Sequence, residues 1–127
     1  WIMPDETALL PEFYNPEPPH GWCYDFSQAE LAGQTEDWQK VTAIYNKAVK
    51  AGERPDDPME NFVFIEAFAH TGEWQTARNI SITAYKFSKE FMRPNLCALW
   101  LRIDRNIPAN PEKNNIVNSV KNELGCG

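Results

Sequence analysis

No stretch of this chain approaches the roughly 18–20 consecutive apolar residues that a membrane-spanning helix requires, so this segment is not expected to insert into a bilayer. Basic residues are sparse: twelve Lys and Arg, scattered singly or in loose pairs against eighteen Asp and Glu, leave a net charge of −6. With no basic stripe to neutralise phosphates, nucleic acid is not an expected partner. The six glycines are separated and form no phosphate-cradling loop, no serine sits in a GxSxG elbow, and neither His20 nor His70 has a triad or HExxH pattern around it. The expectation is therefore no enzyme, no metal and no cofactor. Cys23, Cys97 and Cys126 lack CxxC or Cys/His ligand spacing, which argues against structural zinc. They are expected as buried thiols, with Cys23 and Cys97 the two that could approach each other and Cys126 free.

What the chain does have is aromatic weight and a repeat. Five Trp, seven Phe and four Tyr within a hydrophobic content of 43% are those of a folded domain with a real core. At an offset of 36 residues Trp38 falls on Trp74, Gln39 on Gln75, Glu30 on Glu66, Ile44 on Ile80, Ala48 on Ala84 and Pro58 on Pro94. A period of this size is written by stacked helix pairs, each unable to bury its apolar face alone.

Residues 1–21 hold five of the ten prolines, which forbid a long helix there. Trp1, Ile2, Leu9, Leu10, Phe13 and Tyr14 are too apolar for a solvated linker, so this proline-rich arm is expected to lie partly along the helices. Opening on Trp1, the chain is expected to be a segment of a longer protein. Residues 22–127 form the helical domain. Its apolar spacings predict helices over Trp22–Gln34, from Asp37 to Gly52, over Pro58–His70, from Glu73 to Phe91, from Pro94 onward, and over Pro111–Leu124. The fourth should set Trp74, Ala77, Ser81, Ala84 and Ser88 on one packed stripe. The last should bury Ile116, Val117, Val120 and Leu124, with Lys113, Asn114, Lys121 and Asn122 outside, as suits a terminal cap.

Glu36-Asp37-Trp38 and Gly72-Glu73-Trp74, with Ala29, Tyr45, Ala48, Ala77 and Ala84 at their helical positions, resemble tetratricopeptide repeats over residues 22–105. Asp25, Asn61 and Ile65 depart from that pattern. A second resemblance covers most of the chain. Trp22–Phe26, Glu36–Trp38, Asp57–Glu60, Phe64–His70 and Met92–Trp100 are similar to the WCYYY-, GDW-, NDP-x-E-, FIEGYAH- and MRP-x-LC-x-LW-like segments of a soluble C-terminal domain. That domain belongs to uncharacterised bacterial multi-spanning membrane proteins, some of which look like lipid-linked-sugar glycosyltransferases. Together these imply an all-α, antiparallel helical-hairpin stack of five to six helices, a tetratricopeptide-like superhelix with a proline-rich arm. They also imply membrane association through a parent chain, the extracytoplasmic side being favoured.

Within such a stack the first helices line a groove. Glu30 and Glu66 occupy the same place in two of them and could together hold a basic or amine-bearing ligand, or each could make a local hydrogen bond or simply face water. Trp22 and Tyr24, beside the arm, are the candidates for an exposed aromatic patch, and Phe26 and Phe62 complete the groove set. Trp38 and Trp74 are expected as core anchors between units, and His70 as a helix-end residue suited to the negative dipole end. The Asn79-Ile80-Ser81 triplet lies inside a helix and is read as incidental. The functional expectation is a non-catalytic interaction or scaffolding domain that binds a peptide, a protein partner or its own membrane part. Two alternatives stand beside it. One is an accessory domain of a membrane glycosyltransferase contacting a sugar or lipid-linked donor. The other is a structural tail that caps or dimerises the parent, marked by an apolar patch on the fifth or last helix.

Overall fold

At the same offset of 36 residues the chain makes the same helix-ending turn twice. In the computed structural model, which describes residues 21–126, the amide of Asp37 donates to the carbonyl of Ala32 at 2.9 Å and that of Glu73 to Phe68 at 2.8 Å. These are the long return bonds of the Schellman motif, which need a left-handed residue just before the donor. Gly72 supplies it at φ 83°, Glu36 at φ 59°. Each turn reverses the chain within three residues, so the next helix packs back on the one just ended.

The described residues contain six α-helices and no strand: α1 (Trp22–Gln34), α2 (Trp38–Lys50), α3 (Phe62–His70), α4 (Trp74–Phe87), α5 (Lys89–Asn106) and α6 (Pro111–Leu124). A 3-10 turn, Pro58–Asn61, leads into α3. Helices α1, α3 and α5 follow one another side by side; α2 packs on α1 and α3, α4 on α3 and α5, and α6 on α4 and α5. Helix α3 is the most enclosed, with Phe64, Ile65, Ala67, Phe68 and Ala69 all buried, as its all-round apolar sequence demands. Gly33 lets α1 approach it, since a Cβ there would meet Val63 Cγ2 at 2.9 Å. Trp74 and Trp100 fill the core beyond, and buried Ser81 accepts the Trp100 indole N–H at 2.9 Å while donating to Ala77. The arm expected over residues 1–21 falls, apart from Gly21, outside the described residues.

Three expectations are corrected. The fourth helix ends at Phe87 rather than Phe91, which leaves Ser88 exposed and off its packed stripe, and α5 starts at Lys89 and runs through Pro94 instead of opening on it. Proline removes only the bond to the Glu90 carbonyl, near the exposed start of the helix, and the Asn95 side chain bonds the next carbonyl, that of Phe91, at 2.9 Å. Lys113 is not on the outer face but 4% exposed: its ammonium donates to the carbonyls of Asp104 and Ile107 at 2.8 and 2.6 Å and pairs with the Asp104 carboxylate at 2.9 Å. It caps the end of α5, where orphan carbonyls and the helix dipole both favour a cation. Finally, Cys97 pairs with Cys126, leaving Cys23 exposed and free, so neither the Cys23–Cys97 approach nor a free Cys126 holds. Gly125, at φ 74°, turns the chain after α6 back onto α5 and brings the two cysteines together.

The bridge closes a loop across a sequence separation of 29, so its reduction should lower the unfolding free energy. For a loop of this order the loss is about 2–4 kcal/mol. Chemical denaturation with and without reductant measures it; superimposable curves would show that the bridge does not form.

Candidate functional site

The last residues of α1, α3 and α5 are Gln34, His70 and Asn106, again spaced by the repeat. All three line one cavity of about 540 Å³, together with Glu36, Trp38, Glu66 and Arg102. A smaller cavity of about 230 Å³ shares Gln34, Trp38, Glu66 and Arg102 with it and adds Glu30 and Phe62. The two form one groove across the C-terminal ends of three helices. The last carbonyls of α1 and α3 are taken up by the turn amides, and those of Asp104 and Ile107 at the end of α5 by Lys113. The helix ends therefore add only the weak negative pole of their dipoles, and the carboxylates of Glu30, Glu36 and Glu66 carry most of the negative charge. In the groove lining one cation answers them: Arg102 clasps Glu66 in a two-pronged bond of 2.9 and 3.1 Å, linking α5 to α3. Arg102 is 55% exposed, so the pair contributes no more than about 1 kcal/mol to stability.

An aromatic floor lies beside the charges. The Trp38 and His70 rings stack with centroids 4.6 Å apart and 11° between planes. Burial pushes the His70 imidazole below its ordinary pKa of 6.5, against the pull of the Glu66 and Glu36 carboxylates, and so favours the neutral ring. Glu36 is held there at a cost. It is the one non-glycine residue with positive φ among those described, at the position where Gly72 stands in the next repeat. Left-handed backbone costs an ordinary residue about 1–2 kcal/mol, and such strain collects where a side chain is needed.

The groove brings together Glu30, Glu66 and Phe62 of the residues singled out from sequence. Trp22 is elsewhere and buried: its indole N–H donates to Glu60 at 2.7 Å and its ring packs against Phe64, so it offers no exposed patch. Glu60 is fixed in turn by the amides of Asp56 and Asp57, which explains why an acid at this point of the loop draws Trp22 inward. Phe26 stacks on Trp22, half-buried, and Tyr24 is 43% exposed. Comparisons with family models, with curated proteins and with solved structures return no match.

Sequence reasoning missed Gln34, Glu36, Arg102 and Asn106. The signal was present for three of them: carrying the offset one step further takes Glu30 through Glu66 to Arg102, and Gln34 through His70 to Asn106. Trp38, expected as a core anchor, is only half-buried and gives one face to the groove.

Glu36→Gly should raise stability by about 0.5–1 kcal/mol, the relieved strain less the glycine's greater unfolded freedom; a loss in thermal unfolding would mean that Glu36 makes a compensating bond. His70 binds its proton more weakly folded than unfolded, so its contribution is whole above pH 6.5 and erodes as pH falls below that. Denaturation at pH 8 and pH 5 should accordingly show a smaller pH-dependent loss for His70→Gln than for the wild type, and equal losses would remove His70 as the cause.

Proposed function

We propose that this chain is a non-catalytic interaction domain, a tetratricopeptide-like stack forming the soluble part of a bacterial membrane protein, and that its groove binds a basic segment of a partner chain. The observation that carries this is the convergence of three helix C-termini with Glu30, Glu36 and Glu66 on one open groove. Dipole ends and carboxylates of one sign attract Lys or Arg side chains and repel acidic ones, and the flat Trp38–His70 face offers a surface for a guanidinium or an aliphatic stem. Glu66, already paired with Arg102, serves as the fixed wall; Glu30, exposed on α1, and Glu36 are open to the partner. The partner is a separate protein or the membrane part of the parent chain. No helix among the described residues is long and apolar enough to cross a membrane; in this reading the parent chain supplies the anchor. The Cys97–Cys126 disulfide supports the extracytoplasmic side, since such bonds persist in oxidising compartments.

A cleft shared by Trp22, Tyr24, Glu30 and Glu66 would favour the sugar-binding alternative, and buried Trp22 speaks against it.

Capture from source-cell membranes tests the reading. The wild type should retain a partner that elutes with rising salt, as screened charge pairs do. Glu30→Ala/Glu66→Ala and the well-folded Glu36→Gly should each retain about tenfold less, roughly 1.4 kcal/mol of lost binding. Equal capture by these folded variants would sink the proposal.

A further inference from the structure

Helix α5 has two apolar faces, and only one is buried. Met92, Leu96, Leu99, Trp100 and Ile103 point into the core. Phe91, Pro94, Ala98, Leu101 and Arg105, at steps of three and four, form a second stripe, and all five are exposed, Phe91 by 57% and Leu101 by 45%. A cleft of about 340 Å³ opens beside it, between Ala98, Leu101, Lys121 and the Cys97–Cys126 bridge. The stripe lies on the outward side of α5, next to the groove but not part of it.

We propose that this face is a self-association surface on which a second copy of the chain docks with its α5 antiparallel to the first. The charges select that occupant. Glu90 flanks the N-terminal end of the stripe and Arg105 closes its C-terminal end, and neither makes an ion pair among the described residues. Glu90 stands eight residues before Ala98 and Arg105 seven after it. A two-fold axis across Ala98 therefore carries Glu90 and Phe91 of each copy to Arg105 of the other, giving a charge-assisted pair and a cation–π seat at both ends. Ala98, the smallest residue of the stripe, sits at the centre, where the helix axes come closest. A lipid surface fits less well, because Glu90 would face acidic headgroups.

Sedimentation of the full chain from about 1 µM to about 500 µM, the range in which mass action reveals weak dimers, is the test. The wild type should pass from monomer to dimer. Leu101→Lys, on an exposed position and with unchanged circular dichroism, should weaken the dimer at least about tenfold. Arg105→Glu should weaken it as well, and Glu90→Lys combined with Arg105→Glu should restore it. The restoration is specific to the antiparallel pairing. A monomer at every concentration overturns the proposal, as does association indifferent to Leu101→Lys or left unrestored by the paired reversal. Co-sedimentation with anionic phospholipid vesicles that Leu101→Lys abolishes would reassign the stripe to a membrane surface and overturn it too.

Discussion

The return bond from the Asp37 amide to Ala32, and from Glu73 to Phe68, is the constraint on which the rest of the structure depends. It satisfies helix carbonyls that would otherwise be orphaned, and it turns the chain so sharply that Trp38 and Trp74 become first residues of the following helices. Because the turns recur at one offset, Gln34 and His70 end α1 and α3 in register, and Asn106 ends α5 at the same spacing through extended Ile107 rather than through that turn. This topology lays three helix ends along one groove, and the carboxylates of Glu30, Glu36 and Glu66 give the groove its negative sign.

Two residues show a local preference yielding to position. A glycine at position 36 would relieve the turn, as Gly72 does in the second repeat, yet a glutamate occupies it and adds its carboxylate to the groove. At the next place in the series Glu30 and Glu66 are followed by Arg102, a reversal of sign that converts a row of like charges into one clasped pair and one exposed acid. Departures of this kind from local consistency mark the places where folding and function make different demands.

The far end of the molecule is held differently. Helix α6 has one buried stripe, Val117, Val120 and Leu124, and polar tethers do much of the remaining anchoring. Arg78 reaches from α4 to Ser119 and Glu123, Arg93 reaches from α5 to the Leu124 carbonyl, Lys113 caps α5, and Cys126 is bonded to Cys97. Among the described residues α6 packs on α4 and α5 alone, so its apolar contact is limited. Long cationic side chains and a covalent bridge add to that contact.

Periodicity in the sequence determined the all-helical class, the ends of α1 and α6, and the enclosure of α3, because these follow from spacings of three and four and from local turn chemistry. It placed Glu30 and Glu66 at one repeated position. The sequence pattern misjudged α5, since Pro94 reads equally well as a helix opening and as a tolerated interior residue; the break falls instead at Ser88, whose extended backbone separates α4 from α5. Only the tertiary structure decided that Trp22 turns inward to Glu60, that Lys113 finds the end of α5, that Cys97 meets Cys126, and that Arg102 closes on Glu66. Each of these joins residues from separate elements. Helical period tells which face of a helix is apolar; it carries no information about which end of which neighbour stands opposite a given polar group.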